Sequence, residues 1–563
     1  MKKPKRSRET KPVLIQKPAF RWWPWVVGFA ALFLAFEVYT PALGGAFVLD
    51  DRYLPFFAPD VETKPLSAWI TNIRPLLMLS FWMDYRWSGT DPYAYHVTNV
   101  VLHFLTSMLV ALIAARLLEW AGVAGRARAI LSVFSGALFL LHPLQTESVA
   151  YVASRSEDLS VLFYYASFAV FLYRGGESMT FLRALGVVAL FGAAGATKEH
   201  TLTLPILLLL TDYFWGRGGF RKNGMLYALI AIAGAAGAAL VWKVLRSADT
   251  AGFHVKDLTP VSYFFTQCRV IWTYVRLFFL PYGQNVDADI PISQGPLDHG
   301  AILALLALVA VAAAAWTFRN RYPMGAYGVF VFLLLLAPTS SFIPIRDVLA
   351  ERRVYLPFLG LVCVCLEFLR RLRSSRLIWT SAALLFVCAA LTYQRNQVWA
   401  SPLALWQDTV SKSPSKVRPR FQLAFALYDA GKYAESAQSY EIASRLGPVD
   451  YQLLLDWALA LDGAGRVNEA IDKLRQAALF ERSAHVFTQM GMVYAKHGRT
   501  QEALDALAEA EKIDPRFEIT YLYRGNVYES AGDRVAAARE YQRAVALNPT
   551  NQAARDALVR VSR

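Results

Sequence analysis

Residues 23–55 read WPWVVGFAALFLAFEVYTPALGGAFVLDDRYLP. The first twenty or so are almost wholly apolar, and at about 1.5 Å rise per residue they suffice to cross the roughly 30 Å hydrocarbon core of a bilayer. The run ends on two adjacent carboxylates, Asp50 and Asp51, at the head of a long polar loop. Carboxylates beside a membrane boundary are costly to place and therefore mark a candidate site. Upstream, MKKPKRSRETKPVLIQKPAFRWWPW is strongly basic and lacks a small-residue cleavage site, which predicts a retained signal anchor with residues 1–22 as a cytoplasmic leader.

The remainder of the chain fits that opening. Of 563 residues, 55% are hydrophobic and only 18% charged, an apolar balance unlike that of a soluble domain. The formal net charge is +15, but residues 401–563 hold 21 Lys and Arg against 20 Asp and Glu, so +14 belongs to the first 400. That excess sits in short segments between apolar runs, where the positive-inside rule accounts for it and nucleic-acid binding is set aside. Cys268, Cys363, Cys365 and Cys388 all fall in apolar stretches without metal-ligand or CxxC spacing and read as packed thiols.

Apolar runs fall at 23–43, 97–115, 129–142, 158–173, 184–196, 201–215, 225–242, 300–316, 325–340, 354–369 and 377–393, about eleven spans. Segments 1–22, 116–128, 174–183, 216–222, 317–322 and 370–376 carry 22 Lys and Arg in 65 residues, which predicts that they and the N-terminus are cytoplasmic. An odd number of spans then puts Asp50, Asp51 and the C-terminal domain on the outer side. The stretch 261–283, VSYFFTQCRVIWTYVRLFFLPYG, is expected to be an interfacial or re-entrant helix, because counting it as a span would invert the basic loops that follow.

Beyond residue 401 the pattern becomes amphipathic and repetitive. Gly431, Gly465, Gly498 and Gly532 recur at spacings of 34, 33 and 34 residues. Each is followed in register by a small residue (Ser436, Ala470, Ala503, Ala537) and by an alanine (Ala443, Ala477, Ala510, Ala544), with Pro448, Pro515 and Pro549 closing three units. A 34-residue period with small residues where paired helices touch is the tetratricopeptide pattern, here four repeats with 550–561 as a capping helix.

Four constellations could carry chemistry. Asp50 and Asp51 precede a loop, 44–95, rich in aromatic residues (Trp69, Trp82, Trp87, Tyr85, Tyr93, Tyr95) that suit an interfacial belt or stacking on a sugar. One carboxylate could take a proton from an acceptor hydroxyl while its neighbour orients it or raises its pKa. HPLQTESVAYVASRSEDLS brings His142, Glu147, Arg155, Glu157 and Asp158 to the same side, and TKEH adds Lys198, Glu199 and His200 between two spans. Lys198, Arg269, Arg276, Arg352 and Arg353 are cations on the side where the positive-inside rule does not ask for them. Headgroup snorkelling would explain them singly, but convergent they would serve a phosphate. His96, Asn99 and His103 share one face of the second span, spaced for interhelical hydrogen bonding rather than for a metal pair, and no metal is expected.

FVLDD, YHVTNVVLHFL, HPLQTESVAYVASRSEDLS, TKEH and AERRVYLPFLGL, followed by tetratricopeptide repeats, resemble the transmembrane and tetratricopeptide repeat-containing O-mannosyltransferases of the GT-C superfamily. The resemblance spans essentially the whole chain. It implies an all-α architecture, with a GT-C-like membrane domain at 23–400 and an extracytoplasmic tetratricopeptide solenoid at 401–563. It also implies transfer of a mannose-like sugar from a polyprenyl-phosphate donor, undecaprenyl or dolichyl, to a protein or envelope acceptor, without a divalent metal. Asp50 falls at that superfamily's base, with Asp51 beside it. Lys198 lies in the family's Lys-Glu motif and Arg352 in its Glu-Arg-x-x-Tyr-Leu-Pro stretch, both toward the donor phosphate; in Glu351-Arg352-Arg353-Val354-Tyr355, Arg353 competes for that alignment. Arg269 and Arg276 join them on topology alone, and Glu147, Glu157, Glu199, His200, His96 and His103 are expected as supporting polar groups. The Ala/Arg-rich style suggests a bacterial inner membrane with periplasmic repeats, or the endoplasmic reticulum in a eukaryote. An O-antigen-type ligase or polymerase is the competing enzyme class, though its long outer loop tends to come late in the chain. A non-catalytic envelope scaffold or transporter is the third reading, and it would have no need of Asp50.

Overall fold

The computed structural model describes residues 23–563 apart from 59–60, 72, 175–177, 217–221, 248–250, 254 and 256–257, so the predicted leader at 1–22 lies outside the described residues. Every named element is helical, and among the described residues the one β contact is an isolated bridge between Ala251 and Ile345.

The membrane body comprises α1 (Trp23–Leu43), α2 (Pro75–Ser88), α3 (Pro92–Trp120), α4 (Gly125–Leu141), α5 (Arg155–Leu172), α6 (Phe181–Gly195), α7 (Leu204–Trp215), α8 (Gly224–Ser247), α9 (Pro260–Phe279), α10 (Ala301–Thr317), α11 (Pro323–Leu336), α12 (Phe358–Leu369) and α13 (Ser374–Val398). By length and composition, α1, α3 and α13 are each sufficient to cross a bilayer, as is α10 together with the turn before it (Asp298–Thr317), and α4 joins them if it is counted with the short bent helix after it. The loops separate into two groups. At one end Arg174 pairs with Asp212, Arg370 donates to Ala121 O and Arg371 to Arg321 O, which ties together the segments read as cytoplasmic. At the other end lie the loop after α1 and the loops around 142–155, 197–203, 284–293 and 337–357.

The 261–283 segment becomes α9, and both of its ends are tied to this second group: Tyr263 donates to Thr339 O near its start, and His142 Nε2 meets Phe278 O near its finish. The core is a continuous apolar cluster reaching from Tyr39 of α1 to Leu377 of α13, as expected of helices that bury one face against each other.

Two helices, α14 (Pro402–Lys412) and α15 (Val417–Asp429), lead into the solenoid, where α15 pairs with α16 (Tyr433–Leu446). Then follow α17 (Tyr451–Gly463) with α18 (Val467–Phe480), α19 (Ala484–Lys496) with α20 (Thr500–Ile513), α21 (Glu518–Ser530) with α22 (Arg534–Leu547), and α23 (Gln552–Ser562). Gly431, Gly465, Gly498 and Gly532 end the first helix of each pair at φ of +73°, +77°, +72° and +86°, a left-handed turn that glycine takes without steric penalty. Ser436, Ala470, Ala503 and Ala537 are fully buried, as small residues must be where two helices approach closely.

The solenoid is bolted to the membrane body at the second end. Asp287 accepts from both Lys416 and Arg418 at 2.5 Å, Arg418 also reaches Asp347 at 2.9 Å, and Asn285 donates to Ser413 Oγ at 2.7 Å.

Candidate active site

A cavity of about 450 Å³ opens at this second end, lined among others by Asp50, Arg74, Tyr151, Ser156, Lys198, Glu199 and Arg352. Four separate loops supply its polar wall. Leu77, Met78 and Phe81 of α2 supply an apolar wall, backed by an aromatic cluster that includes Phe56, Trp69 and Tyr95. Arg155 fixes α2 in place: its buried guanidinium reaches Asp84 of α2 at 2.6 Å, Asn99 Oδ1 of α3 at 2.8 Å and Tyr95 O at 2.9 Å.

The three cations are each held by a carboxylate. Lys198 follows the last turn of α6 in extended conformation and gives Nζ to Glu157 Oε1 at 2.5 Å and to Ser156 Oγ at 3.2 Å. Arg352 opens its guanidinium to the fully buried Glu147, which also accepts from the Arg352 backbone N at 3.2 Å. Arg74 precedes Pro75, which steers it away from helical conformation, and it makes a bidentate pair with Glu199 at 3.0 and 2.8 Å. Among the described residues each pair leaves N–H donors unspent, because lysine has three and arginine five. Burial pulls the Lys198 ammonium below its usual range against the pull of Glu157. Burial works to raise Glu199, but the Arg74 hydrogen bond and charge outweigh it and hold this carboxyl low. In Arg352 too burial works against the charged form, but Glu147 and Tyr151 together outweigh it and hold the guanidinium firmly protonated.

The acidic pair divides. Asp50 is exposed to the cavity, and its backbone N donates to the Tyr151 hydroxyl at 3.0 Å. Asp51 turns inward, only 1% exposed, and accepts from Val48 N at 3.0 Å and Ala153 N at 2.6 Å. Burial lifts its carboxyl to about 7 despite those backbone donors. The expectation of a paired catalytic carboxylate is corrected accordingly: Asp51 ties the loop to residue 153, and Asp50 alone lines the cavity.

Further corrections concern the other arginines. Arg269 donates to Pro291 O at 2.8 Å and Ser293 Oγ at 3.1 Å, and Arg276 to Tyr282 O at 2.9 Å, so their shared helical face meets loop carbonyls rather than the cavity. Arg353 points to Val348 O and Asp347 O; on the 3₁₀ turn Glu351–Val354 consecutive side chains diverge by about 120°, so Arg352 and Arg353 cannot face the same way. His200 lies behind Lys198 with Nε2 3.5 Å from Glu157 Oε2, and burial lowers its imidazole to about 4. His96 meets Gly45 O, in the loop after α1, at 3.0 Å, whereas His103 reaches Leu140 O of α4 at 3.1 Å and the Tyr355 hydroxyl at 2.9 Å; neither lines the cavity.

Two cavity residues carried no sequence assignment. Arg74 shares the cavity with Lys198, and so lies on the side that the charge pattern predicts to be outer, where the positive-inside rule asks for no cation; that signal could have found it. Tyr151 stands between the cations and Asp50, with the Arg352 guanidinium 5.7 Å from its ring and Trp399 stacked on it at 6.3 Å. Nothing in its spacing separates it from an interfacial aromatic.

A multi-helix membrane body with a charged cavity at one end and a tetratricopeptide solenoid attached at that same end is the class this arrangement defines. Within that class, the chain is similar to proteins named TMTC protein O-mannosyl-transferases. It is 23% identical to mouse TMTC3 over 543 residues, covering 85% of this chain and 57% of that protein. It is 22% identical to a Caenorhabditis elegans protein O-mannosyl-transferase over 445 residues, covering 73% and 61%. The chain thus spans somewhat less than two thirds of the length of these relatives. No family model matches it. Among solved structures, YrrB, titled a TPR protein with an unusual peptide-binding site, is 21% identical and covers 32% of this chain and 88% of its own, at a TM-score of 0.24.

Proposed function

We propose that this protein is a membrane glycosyltransferase of the GT-C type. It moves a mannose-like sugar from a polyprenyl-phosphate donor to a hydroxyl on a protein or envelope acceptor at the extracytoplasmic face. The observation that carries the reading is that Asp50, Lys198 and Arg352, from three distant loops, line one cavity together with Arg74. The names of the relatives support mannose and a protein acceptor.

In this reading the acceptor oxygen attacks the anomeric carbon and its proton passes to the Asp50 carboxylate. The bond from that carbon to the phosphate oxygen breaks, and its electron pair leaves with the lipid phosphate. Unspent donors of Lys198, Arg352 and Arg74 meet the charge that develops on the departing oxygen, in a site where water is partly excluded and such contacts are strengthened. Glu147, Glu157 and Glu199 hold those cations in place. The apolar wall of α2 gives the lipid-linked sugar a route in from the bilayer, and the repeats next to the cavity present the acceptor.

The deciding experiment is Asp50→Asn. Asp50 is exposed and its side chain makes no hydrogen bond among the described residues, so the variant should insert and fold normally. Loss of general-base assistance should lower transfer by roughly 10²–10⁴-fold. Mass spectrometry of envelope proteins and glycans from cells carrying each form measures it, and unchanged product would overturn the assignment.

A further inference from the structure

Leu49, immediately before Asp50, sits at φ +52°, and among the described residues only His299 shares the left-handed region without being glycine. A leucine side chain rarely adopts it, because its Cβ crowds the following carbonyl. Leu49 opens the short 3₁₀ turn Leu49–Tyr53, and this turn is what separates the acidic pair, sending Asp51 inward and leaving Asp50 on the cavity. An unusual backbone persists only when its surroundings over-determine it.

Those surroundings come from both the membrane body and the repeat domain. The Leu49 side chain is shared by two apolar clusters. One belongs mainly to the membrane body and includes Val48, Tyr151 and Trp399; the other is built by α14 and α15 and includes Trp406, Leu423 and Leu427. Three residues on, and so on the same face of a 3₁₀ turn, Arg52 lies 4.6 Å over the Phe425 ring and 3.9 Å from Asp429, both on α15. The opposite side of the turn is pinned by Asp51 to Val48 and Ala153.

We infer that α14 and α15 are a positioning element of the active site: by gripping Leu49 and Arg52 they hold the left-handed backbone that directs Asp50 into the cavity. The inference rests on the reading of Asp50 as the base. It makes the first helices of the solenoid part of the catalytic machinery rather than only a docking surface, so the domain that presents the acceptor also sets the group that deprotonates it.

The test compares Leu49→Ala with Leu49→Gly in the full chain. Alanine loses the grip and still resists the positive φ, whereas glycine loses more contact but takes that φ freely. Hydrogen exchange is read on the peptide spanning 48–54, whose Val48, Asp50, Asp51 and Leu54 amides are all hydrogen-bonded. Exchange should accelerate at least tenfold in Leu49→Ala and stay within about threefold of the parent in Leu49→Gly. With mannosyl-phosphoundecaprenol as donor and membrane protein extract as acceptor, kcat should fall at least tenfold in the alanine variant at little-changed donor KM, and recover in the glycine variant. Phe425→Ala, on the repeat side, should speed exchange of the same peptide at least threefold. If Leu49 only packed, glycine would equal or exceed alanine in damage, and that order overturns the inference. Asp50→Asn, run alongside, keeps the two claims apart: retained transfer there refutes the base, whereas lost transfer with the packing order refutes only the grip.

Discussion

Arg352 offers the sharpest separation of a structural from a chemical role. Its partner Glu147 is 1% exposed and uses both oxygens on Arg352, one on the guanidinium and one on the backbone N. Arg352→Ala therefore strands a buried carboxylate with a single backbone donor, a loss of about 3–5 kcal/mol. Adding Glu147→Gln removes the stranded charge; the amide can still accept the backbone N–H, leaving roughly 1–3 kcal/mol for one unsatisfied polar group. The double variant should thus recover about 2 kcal/mol over Arg352→Ala, the difference between those two ranges. On the proposed reading transfer should not follow, because a cation facing the leaving phosphate would contribute roughly 10²–10³-fold and is missing in both variants. Thermal unfolding of the purified chain in detergent reads the first quantity, and sugar transfer from mannosyl-phosphoundecaprenol the second. Recovery of transfer in step with stability would show that Arg352 only neutralises Glu147, and the assignment of a phosphate contact would fall.

Asp287 controls how the solenoid stays attached. Burial alone would raise its carboxyl, but Arg418 and Lys416 outweigh it and hold it below the ordinary value of about 3.9. A depressed folded value means that the stabilisation is present above the ordinary carboxylate range and is lost as pH falls through the folded value. Protease nicking of the 413–416 connection should therefore stay flat from pH 7 to 5 and rise only below about pH 4, while Asp287→Asn should raise it already at neutral pH; a rise between pH 7 and 5 would point to other groups. In the solenoid, Gly498→Ala should lower repeat stability by roughly 1–2 kcal/mol in a denaturant titration. The added Cβ meets no atom within 4 Å, so only the left-handed backbone resists it, and an unshifted midpoint would refute that account.

Legibility in the sequence followed from whether a feature is periodic or local. The repeats were readable because a small residue recurs wherever two helices touch, and such an alanine leaves little choice about its surroundings. That Lys198 and Arg352 would share a cavity was readable because cations on the side predicted to be outer lack the ordinary explanation. Arg74 obeyed the same logic but was hidden in a proline-broken aromatic loop. Arg269 and Arg276 misled for a different reason: helical spacing shows that two side chains share a face, not what that face meets, and here it meets loop carbonyls. The parting of Asp50 from Asp51 was out of reach, since it turns on a leucine adopting a backbone that its own chemistry disfavours.

The three ion pairs also explain how a cation-lined cavity can exist beside an apolar bundle. An unpaired lysine or arginine at that depth would cost several kcal/mol in desolvation, and the usual outcome would be loss of the charge or of the fold. Glu147 and Glu157 relieve that cost for Arg352 and Lys198, Glu199 pairs with the more exposed Arg74, and among the described residues other N–H donors stay uncommitted. The site is thus built with its positive groups already oriented, and on the proposed reading an arriving phosphate has only to take up donors that the carboxylates do not use. The arrangement lets the negative charge of departure meet fixed dipoles instead of reorganising water, the form of stabilisation that acts more on the transition state than on the bound donor.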